Sequence, residues 1–211
     1  MTSHLLNNET LDLFHHFQIP LEQLSVMADW DSIDMYKRNF LGLKTKKITE
    51  NIDLELTCIM FDSQNQMTDL VCSSKFNSWL IKNNFPLGKS ISKDGAFKRI
   101  EQNSNKKLIS VDLKKISDET ESVFFYLNFD LRKIKSPDFS AVKSLKMTYF
   151  SDHTLENKIS ESEISTENSS EVNEGILVVG KLFREGKKWK FKTINKTIDE
   201  SSFIRMTKII Q

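Results

Sequence analysis

Residues 175–194 decide the fold of this chain, and they read G-I-L-V-V-G-K-L-F-R-E-G-K-K-W-K-F-K-T-I. The apolar run at residues 176–179 predicts a strand that is covered on both faces, and the Glu-Gly pair at residues 185–186 predicts a turn. In residues 189–194 large side chains alternate with lysines, a period-2 pattern that predicts a second strand with Trp189 buried on its core face. Together the two strands predict a β-hairpin. A lone hairpin is marginally stable in water, so the rest of the chain must supply a sheet that receives it.

The composition is that of a globular protein with little net charge. The chain has 211 residues, 38% of them hydrophobic and 28% charged, with a net charge of +1. No overall field attracts nucleic acid, and the lysines in residues 187–192 lie opposite the aromatic face, which favours a solvated sheet surface. No apolar run approaches the ~20 residues that span a bilayer, and we expect no secretory signal at the N-terminus. These features predict a cytoplasmic protein without a membrane span or nucleic-acid partner.

The residues with reactive side chains give weak signals. Cys58 and Cys72 are the only cysteines, and we expect both to be reduced and buried on neighbouring strands, with a redox pair as the alternative. His15 and His16 lack acidic or cysteine partners nearby in the sequence, which favours solvated histidines over metal ligands. No phosphate-binding loop, serine-hydrolase motif or C-x-x-C motif occurs, so no enzymatic activity is predicted.

Short strands with period-2 alternation fill most of the remaining chain. Besides the hairpin, the predicted strands are residues 21–30, 53–61, 67–72, 108–113, 123–129 and 145–150. Residues 123–129 form the most aromatic run and are expected to be a central strand. Residues 10–17 fit either a strand or a helix turn, and residues 32–47 predict a loop or short helix. Seven or eight short strands without repeats predict an all-β protein that folds as a sandwich of two sheets.

An acidic segment precedes the hairpin. Residues 156–174 contain six glutamates, one lysine and many serines. Such a composition buries too little apolar surface to offset the entropy of ordering, which predicts a flexible acidic loop. We therefore expect one sandwich domain over residues 21–198, an N-terminal extension at residues 1–20 and a C-terminal tail at residues 199–211.

Five motifs follow one another along the chain. They are W-D from Trp30, D-L-E-L from Asp53, S-K-D-G-A from Ser92, L-I-S-V-D-L from Leu108 and V-V-G-K-L-F-R-E-G-K-K-W-K-F-K at residues 178–192. In this order they resemble the tellurium-resistance (TerD-like) family over about residues 21–195. The resemblance implies a cytoplasmic TerD-like β-sandwich with short helical or loop insertions. It also implies a role in stress and tellurite resistance in bacteria, with no catalytic activity.

Typical members of that family bind calcium at one end of the sandwich, and Ca²⁺ requires six to eight oxygen ligands. Carried over by position, the family's ligand motifs survive here as Asp31, Asp53 and Glu55. The family's acidic triplet before the L-I-S-V-D-L strand is replaced by Asn-Lys-Lys at residues 105–107, and ammonium groups there would compete with a divalent cation. The resemblance therefore implies a degenerate metal site, with no cofactor expected and any calcium binding weak.

Three functional hypotheses follow. The first is a non-enzymatic stress-response module that acts through protein–protein interaction. The second is a calcium-binding sensor or adaptor that keeps a partial site, completed by backbone carbonyls and Asp94 or Glu101. The third is an accessory component of a secretion or phage-tail-like assembly, which the loss of ligands from a retained β pattern would suit.

Overall fold

The fold is a β-sandwich, as predicted. The structure, a computed structural model, describes residues 3–4, 10–12, 21–31, 33–38, 45–50, 53–129, 139, 142, 144–164 and 175–208. The strands and helices are β1 (Ser3–His4), β2 (Thr10–Asp12), β3 (Gln23–Asp29), β4 (Ile33–Arg38), β5 (Thr45–Glu50), β6 (Leu54–Phe61), β7 (Met67–Val71), α1 (Asn77–Lys82), β8 (Phe97–Asn103), β9 (Lys106–Asp112), β10 (Ser122–Phe129), β11 (Lys146–Phe150), β12 (Lys158–Glu163), β13 (Ile176–Glu185), β14 (Lys188–Ile198) and α2 (Glu200–Lys208).

The strands form two large sheets and a small one. The first sheet has the order β1-β12-β11-β3-β9-β8, the second has the order β2-β14-β13-β10-β6-β7, and β4 pairs with β5. Strand β10 lies inside the second sheet between β13 and β6, which confirms that the aromatic run is an interior strand. In the described part of the chain, the helices α1 and α2 have six and nine residues, and no helix is long and apolar enough to cross a membrane.

The central core lies between the two large sheets. Alternate residues of strands such as β3, β6 and β10 point into it, because successive side chains of a strand leave on opposite faces. The ring of Tyr149 from the first sheet packs on Phe191 from the second, with centroids 4.9 Å apart, and Phe125 packs on Phe191 at 5.8 Å. These aromatic contacts join the two sheets directly.

A second apolar layer covers the outer face of the second sheet. Helices α1 and α2 supply Leu80 and Phe203 to it, and Tyr126 of β10 meets Phe203 edge-on with centroids 4.9 Å apart. The indole nitrogen of Trp79 in α1 donates to Oε1 of Glu200 in α2 over 2.6 Å, which ties the helices together. This layer explains why the apolar run at residues 176–179 has no polar face, because alternate residues of that run enter the central core and the outer layer.

The predicted hairpin is confirmed as β13 and β14. Gly186 turns between them with φ +64°, a conformation that side chains disfavour. A Cβ atom on Gly180 would lie 2.6 Å from the Phe191 ring and 2.7 Å from the Lys192 carbonyl oxygen, so the close packing of this strand pair requires glycine there. The expectation of a buried Trp189 is wrong. Its ring is half-buried at the edge of the core, with the Arg184 guanidinium carbon 4.6 Å from the ring centroid.

The boundaries predicted for the domain differ from those observed. The supposed N-terminal extension contributes β1, which pairs with β12, and β2, which pairs with β14. The supposed C-terminal tail contains α2, whose buried Phe203 belongs to the outer layer. These terminal pieces are too short to form structure alone, and each is stabilised by a sheet that the rest of the chain builds.

Two internal segments predicted as loops contain strands. In the acidic segment, residues 158–163 form β12 between β1 and β11, and Ile159 enters the central core. The glutamates of that segment suggested a loop, but β12 pairs with β11 along its length and with β1 at residues 160–161, and Ser160 is fully buried. The rest of the segment beyond residue 164 lies outside the described residues. Within residues 32–47, where a loop or short helix was predicted, β4 and the first part of β5 pair as antiparallel strands.

Candidate functional site

The three acids predicted as metal ligands lie next to β3 and β6. Asp31 follows β3 and is exposed, Asp53 precedes β6, and Glu55 is within β6 and only 2% exposed. The backbone nitrogen of Trp30 donates to the Asn105 carbonyl over 3.1 Å, which fixes the end of β3 against the β8–β9 turn. Asp31 therefore comes directly after a residue that is anchored to the β8–β9 turn. Lys106 and Lys107 follow that turn at the start of β9.

Glu55 is held by a buried ion pair. The Arg99 guanidinium of β8 donates from Nε to Glu55 Oε1, and its Nη2 donates to Glu101 Oε1 over 2.7 Å. Burial raises the pKa of the Glu55 carboxyl above its ordinary value, and the Arg99 charge opposes that rise. The same guanidinium lowers the pKa of the exposed Glu101 carboxyl through its hydrogen bond. Arg99 thus bridges one buried and one exposed carboxylate.

Asp53 also faces a cation. Its Oδ2 lies 3.6 Å from Lys75 Nζ, in the segment between β7 and α1. Lys106 pairs with Asp29 rather than with a predicted ligand, with Nζ 3.1 Å from Oδ2. Lys107 is 4% exposed and donates to the Asn103 carbonyl over 3.4 Å, and its charge acts on Glu55 without contact. The positive charges at this end therefore come from four residues, Lys75, Arg99, Lys106 and Lys107, of which the sequence had indicated the last two.

Asp94 has a structural role in its turn. Its Oδ1 accepts from Ser92 Oγ over 2.5 Å and from Ala96 N over 2.9 Å, and its Oδ2 accepts from Ser117 N over 3.0 Å. Burial raises the pKa of this carboxyl, but these hydrogen bonds outweigh it and lower the pKa overall. Three donors occupy the carboxylate, so it holds the loop before β8 against the loop after β9.

The arrangement at this end of the sandwich is one of ion pairs. Two of the three predicted ligands already face a guanidinium or an ammonium group, whereas Ca²⁺ needs at least six oxygens around it. In the described part of the chain, no group of three or more His, Cys, Asp and Glu side chains is arranged to hold a metal ion. The histidines at residues 15–16 lie outside the described residues.

The two cysteines point away from each other. Cys58 lies in the central core, whereas Cys72 lies in the outer layer on the opposite face of the second sheet. Both are free and buried, and burial raises the pKa of both thiols, that of Cys72 to about 12. The redox-pair alternative is wrong, because a disulfide requires the two Cβ atoms to approach each other.

Sequence reasoning missed Arg99 and Lys75 as members of this cluster. A local signal existed for one of them, because Arg99 and Glu101 are two residues apart in a strand and therefore share a face. The partner strand could not be inferred, since Glu55 is 44 residues away. Lys75 lies in a segment between elements, where the sequence has no periodicity.

The two large sheets, the closing hairpin and the acids at the start of β6 define a TerD-like β-sandwich. This chain belongs to the TerD domain family, whose sequence model matches residues 1–203. The resemblance of the five motifs is thereby confirmed, and the family match includes the N-terminal residues that had been assigned to an extension.

Solved structures show the same fold at low sequence identity. A homologue of the telluride resistance protein TerD from Streptomyces coelicolor A3(2) superposes with a TM-score of 0.60 at 10% identity, covering 90% of this chain and 97% of the other. A protein of unknown function, SAV2460, superposes with a TM-score of 0.58 at 12% identity, covering 90% and 99%. No curated protein matches the sequence significantly.

Proposed function

We propose that this chain is a non-enzymatic stress-response module of the tellurite-resistance type, which works through contacts with other proteins in the cytoplasm. Membership of the TerD family supports the stress role. The observation that supports the loss of calcium sensing is the buried pair of Arg99 with Glu55, placed where the family resemblance implies a calcium ligand. In this proposal a fixed protein cation takes the place of an exchangeable one, so the module does not sense calcium.

Exposed apolar side chains support a protein-contact role. The side chains of Ile81 in α1, Leu87 and Ile91 are 61%, 57% and 46% exposed. Ile81 lies in α1, and Leu87 and Ile91 lie in the segment between α1 and β8. Covering such side chains with a partner would remove apolar surface from water, which is the main favourable term in most protein association.

Calcium titration tests the loss of sensing. We expect millimolar calcium to leave the melting temperature of the full chain unchanged. A ligand at 100 times its dissociation constant would stabilise the fold by about 2.7 kcal/mol.

The double variant Lys75→Gln/Arg99→Gln should bind calcium more tightly than the unmodified chain, because it lacks two competing cations. Lys158→Gln is the control, since it removes an exposed pair with Glu161 in β12, far from β8 in the first sheet. Micromolar binding by the unmodified chain, measured calorimetrically, would restore the calcium-sensor hypothesis.

Growth under tellurite tests the stress role and the contact surface. A strain lacking the chain should regain growth when the unmodified gene is restored, and failure to do so would contradict the stress role. Ile81→Asp/Leu87→Asp should fold normally but not restore growth, whereas the exposed control Lys98→Glu should restore it. Full restoration by the double variant would exclude this surface as the contact.

A further inference from the structure

A cavity of about 220 Å³ lies between the outer face of the second sheet and the two helices. Its lining includes Ile59 of β6, Leu80 of α1, Phe203 of α2 and Phe129 of β10. An apolar cavity of roughly 150 Å³ is sufficient to bind benzene. This cavity is therefore large enough for an aromatic ring with a small substituent, or for an aliphatic group of similar size.

One polar atom in the lining lacks a partner. The side-chain nitrogen of Asn128 in β10 donates to Thr57 Oγ1 of β6 over 3.2 Å, whereas its Oδ1 is buried and accepts no hydrogen bond from any residue that the structure describes. The amide nitrogen of Asn128 therefore faces Thr57, and its oxygen is left as a free acceptor among the residues that the structure describes.

The lining also limits the charge of a ligand. Among the described residues that line the cavity, Lys75 is the only charged one. Its ammonium group lies 3.6 Å from Asp53 and its side chain is 43% exposed, so it belongs to the rim. A charged ligand would exchange water for apolar walls, which is costly without a counter-charge inside.

We propose that this cavity binds a small, uncharged, mainly apolar molecule that carries one hydroxyl or N–H donor, and that Asn128 Oδ1 accepts that hydrogen bond. The apolar walls supply affinity through burial, and the orphaned oxygen supplies specificity, because a ligand without a donor leaves it unsatisfied. The site meets the Asp53 ion pair only at its rim, through Lys75, and it does not depend on the proposed stress role.

A matched pair of ligands tests the proposal on the full chain. Indole carries an N–H donor, and indene has nearly the same shape without one. We expect indole to bind saturably and indene to bind about threefold to tenfold more weakly, the range that one net hydrogen bond gives. In ¹⁵N-labelled protein, the indole N–H signal of Trp79, which lines the cavity, should shift, whereas that of Trp30 in the central core should not.

Variants locate the acceptor. Asn128→Leu keeps a similar volume without the oxygen, so it should bind the two ligands equally. Ser162→Ala is the control, because it removes a buried side-chain oxygen on the other sheet, away from the cavity, and should keep the preference for indole. The proposal is overturned if neither ligand binds saturably, if both bind equally to the unmodified chain, or if binding shifts Trp30 and not Trp79. It is also overturned if Asn128→Leu keeps the preference.

Discussion

Removing the Arg99 side-chain charge should destabilise the protein strongly through Glu55. In Arg99→Gln the carboxylate of Glu55, 2% exposed, would remain buried without its counter-charge. Breaking a buried ion pair in this way costs about 3–5 kcal/mol, which for a domain of this size lowers the melting temperature by roughly 6–20 °C. Thermal and urea melts followed by circular dichroism measure this loss directly.

A double-mutant cycle separates the ion pair from simple packing. Arg99→Leu/Glu55→Leu should recover most of the stability lost in either single variant, because an apolar pair of similar volume is tolerated where a lone charge is not. The matched control is Glu101→Gln, which removes the other partner of Arg99 at a side chain that is 57% exposed. An exposed pair contributes about 0–1 kcal/mol, so this variant should melt almost as the unmodified chain does.

The destabilisation should depend on pH with a defined sign. Burial raises the pKa of Glu55, so the folded protein holds this proton more tightly than the unfolded chain. The contribution of this group to stability is then fully present below the unfolded pKa and is lost as the pH rises through the folded pKa. Without Arg99 the rise in pKa is unopposed, so the difference between Arg99→Gln and the unmodified chain should shrink on acidification. A loss below about 1 kcal/mol at neutral pH, or one that grows at low pH, would refute the reasoning.

Three further substitutions test the packing. Phe203→Ala should cost about 3–5 kcal/mol and release α2 from the outer layer, seen as faster hydrogen exchange in α2 alone among the helices. Trp189→Ala should cost less, about 1–2 kcal/mol, because it removes a half-buried ring that packs at the edge of the core and contacts Arg184. A loss as large as that of Phe203→Ala would mean that the indole is fully buried. Gly180→Ala should cost about 1–3 kcal/mol because its methyl group would press on Phe191, and an unchanged urea midpoint would show that β14 can move away.

The sequence by itself determined the strands whose signal is local. In residues 123–129 and 176–194, apolar side chains either alternate with polar ones or form a continuous run. The first pattern indicates a strand with one buried face and the second a strand with two, so both stretches could be identified as strands from the sequence. The family motifs are local too, since each is a few residues long, and the family match confirmed them. The D-L-E-L motif places two acids at the start of β6, but nothing in the motif indicated their partners.

Only the tertiary structure decided what depends on distant residues. Strands of two or three residues, such as β1 and β2, gain their hydrogen bonds from sheet edges that residues 158–163 and 188–198 provide, so no pattern within them could predict them. The acidic strand β12 shows the same, because pairing on both sides overcomes a composition that disfavours order. The partner of Glu55 was fixed when the first sheet, which contains β8, packed against the second sheet, which contains β6. Arg99 and Glu55 are 44 residues apart in the sequence, so only the assembled sheets bring them together. Two charges interact strongly only when they are close together and shielded from water.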